Sequence, residues 1–314
     1  MKYHQSIEKK MNLPGLSEKL AALSGSDLNT LLMEVFRSRA GRINPSSLVN
    51  GLFENRFTQP GSTDPIALKK LELYYLEVAT HLAFSVVQLS PLAPLGVCSS
   101  MAPVAQNTIV SSLRNTEIVS DVTNVLALMT AQEVRKNQNR EQVIRLATTH
   151  RHVRAQAFDR PGFAAHFSIA GFTTGGWDQG NHRFETTAFL EHVTLHRRII
   201  RSIFPQGPLV IRIYWQHAAD RLQTSILKGL EELPDSITLE QESKTGDFTY
   251  YPVVQFKILL VDSGQSWELA DGGLVSWTQE LIPNHKHRLM ISGTGLDLIL
   301  RANQSIDPSS NTAK

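Results

Sequence analysis

The chain has 314 residues, enough for one large domain or two ordinary ones, and its 41% hydrophobic and 19% charged content is that of a globular protein. A formal net charge of +2 is too small to mark nucleic acid or a membrane surface as its partner, and a single cysteine, Cys98, excludes an intramolecular disulfide and fits a reducing compartment. The N-terminus MKYHQSIEKKMNLPGL lacks a leader's apolar segment, and no apolar run approaches the roughly 18 to 20 residues of a membrane span, so a soluble, cytoplasmic protein is expected.

From Leu16 to about Phe57, apolar Leu20, Leu23, Leu28, Leu31, Leu32, Val35 and Phe36 recur at three- and four-residue steps, with Ser26 and Asp27 placed to cap a helix start. This predicts a helical N-terminal region over residues 1–64, closed by the turn-forming stretch TQPGSTDP. A long helix is expected from Ile66 to Val87, broken by Pro91 and Pro94 in LSPLAPLGVCSS. NTIVSSLRNTEIVSD reads as strand and turn, and VTNVLALMTAQEVRK as a helix opened by Asp121 or Thr123.

VRAQAF and HFSIAGFTT read as two strands of a hairpin joined by DRPGFAA, and RFETTAFLEHVTLHRRIIRSIF as a helix feeding the strand PLVIRIYW. A helix over Ala218–Leu230, strands over Tyr250–Val261 and Ser266–Leu269, and a strand, glycine turn and helix in RLMISGTGLDLILRAN complete a core over residues 65–304; the polar tail 305–314 is expected to be disordered. Hairpins flanked by segregated helices predict an α+β fold on a largely antiparallel sheet, because the regular strand–helix alternation and G-x-G-x-x-G fingerprint of a doubly wound fold are missing.

Two histidine arrangements have chemical readings. His192 and His196 stand at i and i+4 on a predicted helix, the spacing of a shared zinc ion, but without an H-E-x-x-H glutamate or a cysteine cluster, and no metal site is assigned. His150 and His152 alternate with Arg151 and Arg154 along a strand, making either a basic face for an anion or a solvated edge.

Taken in order, VSDVTNVLALMTAQEVRK, VRAQAFDRPGFAAHF, GDFTYYPVVQFKILL, ADGGL and ISGTGLDLIL resemble the catalytic core of class II aminoacyl-tRNA synthetases over about Ile66–Ala302. The similarity is nearest to the histidyl branch and to its paralogue, the regulatory subunit of ATP phosphoribosyltransferase. The resemblance implies a homodimer through the Ile66–Pro94 segment, with ATP and Mg2+ as cofactors. It places Asp121 and Thr123 at the amino-acid pocket and makes Arg154 the arginine on the ATP α-phosphate, where a guanidinium fork orients phosphate oxygens.

By the same resemblance Tyr250 and Tyr251 line the pocket, and Gly272 and Gly273 let backbone approach a ligand; packing and a simple turn are the alternatives. Gln156 and Phe167 stand at the two ends of the second motif, Gly293 and Gly295 in the third, and Glu185 matches an acidic helix residue. Trp177 stacks on a ligand or covers the site.

Departures from the pattern bear on function. Leu298 occupies the place of the arginine on the ATP γ-phosphate, with Arg301 one turn further along the helix. Ile169, Thr173 and Gly246 replace residues that hold histidine, and no anticodon-binding domain follows, so tRNA aminoacylation is not expected. Two functions remain: a metabolite-binding or regulatory protein working with a protein partner, or an ATP-dependent ligase activating an amino acid or other small carboxylic acid.

Overall fold

The computed structural model describes residues 3–137, 139–156, 164–216, 220–233, 238–243, 250–262 and 264–306. Four helices open the chain: α1 (Tyr3–Met11), α2 (Leu16–Ala21), α3 (Gly25–Ala40) and α4 (Pro45–Glu54). The cap of α3 is Ser24 rather than Ser26 or Asp27. Its hydroxyl accepts from the Asp27 amide at 3.1 Å and donates to the Asp27 carboxylate at 2.8 Å, which satisfies an orphan donor of the first turn. Neither α3 nor α4 buries a residue, and Leu31, Val35, Phe36, Val49 and Phe53 are exposed along them.

The next helix, α5 (Pro65–His81), starts with Asp64 as cap and Pro65 in the first turn, where a missing N–H costs nothing. It stops short of the expected Val87, and not at the prolines. Ala83 adopts φ 61°, and the amides of Leu82 and Phe84 both return to the Ala79 carbonyl, closing the helix with a left-handed turn.

Short elements follow: β1 (Ser85–Val86), β2 (Leu92–Pro94), α6 (Val97–Met101), β3 (Ser111–Ser112) and β4 (Thr116–Ile118). Then come α7 (Val122–Lys136), β5 (Ile144–Val153), β6 (His166–Trp177), α8 (Arg183–Ile203), β7 (Leu209–Trp215) and α9 (Asp220–Glu231). The last are β8 (Thr238–Ser243), β9 (Val254–Asp262), β10 (Gln265–Val275), α10 (Trp277–Leu281), β11 (His287–Gly295) and α11 (Leu296–Ile306).

Among the described residues the main sheet has the order β1-β5-β6-β11-β10-β9-β7-β8, antiparallel except for the edge pairs β1–β5 and β7–β8, and β2-β4-β3 form a small second sheet. The expected antiparallel α+β architecture is present. β5 pairs with β6, but it ends at Val153, where the expected strand VRAQAF begins, so the first strand of the hairpin lies earlier in the chain than expected; most of the β5–β6 connection, the start of the expected helix at Ala218, Gly246 and the tail beyond Ile306 lie outside the described residues.

Alternation along the strands sorts residues to two faces. On β6, Phe172 and Thr174 face α5 and α8, with Phe172 against Tyr75 and the His196 ring, while Gly171 and Gly175 face α7. A Cβ on Gly171 would run into Val122 of α7, so that glycine sets how closely the helix approaches the sheet. The larger core lies on the α5, α8, α9 and α11 face and the smaller ones on the α7 face. Among the described residues no helix is long and apolar enough to cross a membrane.

His192 and His196 project from α8 into the larger core and are fully buried. His192 Nδ1 and His196 Nε2 share the Ser292 hydroxyl at 2.7 and 2.8 Å, and their other nitrogens meet Thr174 and Thr294. Hydroxyls of the sheet therefore occupy the nitrogens that zinc would need, and among the described residues no group of three or more His, Cys, Asp or Glu side chains is placed to share a metal ion.

Candidate functional site

On the α7 face a cavity of about 510 Å³ opens between the N-terminus of α7, the ends of β5, β9, β10 and β11, and Cys98 of α6. Its shape follows from the chain. Asp121 caps α7, its Oδ1 accepting from the amide and hydroxyl of Thr123 at 2.9 and 2.7 Å, which leaves the first turn of the helix at the cavity wall. Beneath it, β11 ends in Gly293 and Gly295, which expose backbone rather than side chain. The strand runs through Gly295 directly into α11, so the expected glycine turn is absent.

Tyr250 and Tyr251 also line the cavity. They precede β9 instead of opening it, stand edge to face at 4.7 Å, and each donates to a carboxylate: Tyr250 to Asp121 at 2.7 Å, Tyr251 to Asp271 at 3.1 Å. Burial and those carboxylates hold both phenols well above their usual range, so they act as neutral donors.

Gly272 and Gly273 lie inside β10, not in a turn, and neither lines the cavity. Their smallness serves packing. A Cβ on Gly273 would strike the Val254 carbonyl and the Tyr251 ring, the ring at 2.5 Å, so Gly273 is the space in which Tyr251 lies; Gly272 gives the same room to Ser292 and Phe256 on the other face.

The cation of the lining stands beside the α7 cap. Arg154 follows β5, donates from Nε to the Ser120 carbonyl at 3.0 Å and lies over the Phe167 ring at 5.3 Å. Phe167 is thus the shelf for the arginine and is not itself a lining residue, whereas Gln156 lines the rim. Its backbone carbonyl and that of Ala155 accept from Arg56, which ties the N-terminal segment to this edge.

His150 and His152 do not form a basic face with their neighbouring arginines. Arg151 points to the other side and donates from Nε to His166 at 2.9 Å, while burial and the Arg154 guanidinium push His152 down to about 3 and burial lowers His150. His152 is neutral, its Nε2 accepting from the Val122 amide at 3.2 Å; the proton therefore sits on Nδ1, which is unpartnered at the cavity.

On α11, Asp297 accepts from the Ser168 amide at 2.7 Å and the Thr63 hydroxyl at 2.5 Å, and Leu298 packs on the larger core. Arg301 does not line the cavity. Trp177 ends β6 against His287, away from the cavity, and Glu185 accepts from Arg288 at 2.9 Å.

Asn124, Asp271 and Glu268 are among the lining residues that the sequence did not disclose. Asn124 is 1% exposed, with both side-chain polar atoms unpartnered, and its signal was its place in the first turn after Thr123. Asp271 and Glu268 belong to the cavity face of β10, but a bulge between Glu268 and Ala270 shifts the alternation that would have revealed them.

Among known proteins, no family model and no curated protein matches this chain. Solved structures do. A histidyl-tRNA synthetase of S. aureus superimposes with a TM-score of 0.60 at 14% identity, over 80% of this chain and 69% of that one. A protein of Bacillus halodurans described as an ATP phosphoribosyltransferase regulatory subunit/histidyl-tRNA synthetase gives 0.59 at 13% identity, over 78% and 83%. A putative threonyl-tRNA synthetase of Aeropyrum pernix gives 0.60 at 8% identity, over 76% and 60%. The chain has the class II synthetase-like fold that its motif order resembles.

Proposed function

We propose that this chain is a synthetase-like paralogue that binds an amino acid or a closely similar zwitterion in the cavity and acts as a metabolite-binding, regulatory protein. The observation that carries the reading is the polarity of the cavity. The lining holds carboxylates, Asp121 and Asp271, each oriented by a tyrosine, and donors, the Arg154 guanidinium and the unpartnered Nδ1–H of His152, from side chains that also bond the backbone on either side of Asp121. An ammonium at the carboxylates and a carboxylate at the donors would satisfy groups that are costly to leave unpaired.

ATP and Mg2+, implied by the motif resemblance, fit the described residues poorly. Among them Arg154 is the one arginine or lysine on a lining that also holds Asp121, Glu268 and Asp271, so a triphosphate would meet more negative than positive charge. The place of the γ-phosphate arginine is taken by Leu298, whose side chain packs on the core. No reaction step is assigned to ATP. The similarity to a phosphoribosyltransferase regulatory subunit supports a role inside a larger assembly, with a protein partner and a homodimeric core.

Thermal unfolding in the presence of each of the twenty amino acids tests the reading. A ligand at a hundred times its dissociation constant adds about 2.7 kcal/mol, an upward shift of several degrees. At least one amino acid should give it in the wild type and lose it in Arg154→Ala and Asp121→Asn. A folded protein that none of them shifts would overturn the proposal.

A further inference from the structure

The two carboxylates Asp121 and Asp271 of the cavity lining are not equivalent. Asp121 already takes three donors, the amide and hydroxyl of Thr123 on Oδ1 and Tyr250 on Oδ2, which leaves Oδ2 one further acceptor site. Asp271 has one donor among the described residues, the Tyr251 hydroxyl at 3.1 Å. Its cross-strand neighbour on β9 is Lys257, the cation best placed to neutralise it. Lys257 instead reaches Glu268 at 2.7 Å, so the lysine's charge is spent on another carboxylate. Burial, followed by Glu268, raises Asp271 to about 6, and it remains largely ionised at neutral pH.

A half-buried carboxylate with one hydrogen bond is a costly group to keep unless something cationic visits it. A second observation at the same cavity points to a ligand. The Asn124 side chain is 1% exposed and lines the cavity with both its amide nitrogen and its carbonyl oxygen unpartnered, a donor and an acceptor awaiting a polar group.

We infer that the bound amino acid carries a second cationic nitrogen at the end of its side chain, and that Asp271 is the residue that selects it. The inference rests on the zwitterion reading above and sharpens it. The carboxylate of the ligand lies toward Arg154 and His152 and its α-ammonium toward Asp121. The side-chain cation meets Asp271, with Tyr251 orienting that carboxylate and Asn124 offering a further donor and acceptor. A neutral side chain of equal length would leave Asp271 ionised and uncovered, which costs affinity rather than merely failing to add it.

Isothermal titration of the purified full chain at about pH 7.5 with L-lysine, L-ornithine, L-arginine and the uncharged isostere L-norleucine tests this. At least one dibasic amino acid should bind ten-fold or more tightly than norleucine. Asp271→Asn should bring the two within about three-fold of each other, by weakening the dibasic ligand and strengthening norleucine, which no longer leaves a charge uncovered. Asp121→Asn should weaken both together. Because Asp271→Asn removes a half-buried charge whose pKa burial raises and keeps the shape, its unfolding temperature should not fall, which separates a binding effect from a folding one.

Norleucine binding as tightly as the dibasic ligands, or a preference that survives Asp271→Asn, would overturn the inference while leaving the zwitterion reading intact. A wild-type protein that binds none of the twenty amino acids would overturn both.

Discussion

Buried histidines, His152, His192 and His196 among them, must stay neutral for this protein to stay folded. Burial and Arg154 lower His152 to about 3, burial alone takes His196 to about 3, and His192 is lowered in the same direction by burial, His196 and Arg145. A folded pKa below the unfolded one means that the unfolded chain takes up the proton first, so stability is full above the ordinary histidine pKa and is lost as pH falls below it. Between about pH 7 and about pH 5, His152 and His196 should each remove roughly 2 kcal/mol. Asp271, raised to about 6, works in the opposite sense and returns about 1 kcal/mol over the same range. Urea unfolding at the two pH values should show a net loss of several kcal/mol; an unchanged midpoint would contradict the placement of these rings. Gly273→Ala is the second residue-scale test. Its Cβ would meet the Val254 carbonyl and the Tyr251 ring, so a loss of about 1 to 3 kcal/mol is expected, together with weakened ligand binding as Tyr251 is displaced.

At the scale of elements, Glu117 of β4 is a fully buried carboxylate that accepts from the amides of Gly96 and Cys98 and from Gln106, holding α6 so that Cys98 walls the cavity. Burial raises the Cys98 thiol to about 12, so the native protein should react very slowly with a disulfide reagent such as DTNB. Glu117→Ala, which strands those donors, should cost about 2 to 4 kcal/mol and make Cys98 react on the time scale of seconds to minutes without denaturant. Continued inertness of Cys98 would show that α6 is held by other contacts. The same scale explains what the sequence could disclose. Asp121, Thr123 and the α7 helix were legible because a cap and its helix are local. His152 was not, since its neutrality depends on burial against α7 and Phe167, and Asp271 was hidden by a bulge that only the pairing of β9 with β10 reveals. The glycine pair was opaque for a similar reason, because its missing Cβ atoms make room for partners distant in the chain, Tyr251 for Gly273 and Ser292 with Phe256 for Gly272. The end of α5 depended on Ala83, a residue with no intrinsic signal for a left-handed turn.

For the whole molecule, a net charge of +2 coexists with a cavity whose lining has more acidic than basic side chains, so the partner is selected by the site and not by the surface field. The homodimer implied by the motif order would use the α5 to β2 segment, where Ile66, Leu73, Val86 and Leu92 are exposed apolar side chains. Light scattering after gel filtration should give twice the chain mass of 35.0 kDa, and Leu73→Asp with Leu92→Asp should give the monomer. A wild-type monomer would remove that interface from the account. The fold itself was legible from the order of its pieces, and at 14% identity the S. aureus enzyme supports the fold alone.

The central claim is that the class II architecture here holds an amino acid without activating it. ATP–pyrophosphate exchange by the purified full chain, with Mg2+ and the amino acids that raise its unfolding temperature, tests that most directly, because exchange reports adenylate formation whatever the acceptor. The account predicts exchange at background while the same preparation binds its ligand, as expected of a lining with one arginine and of Leu298 at the γ-phosphate position. Exchange clearly above background with any of those amino acids would contradict it and make the protein an adenylate-forming ligase.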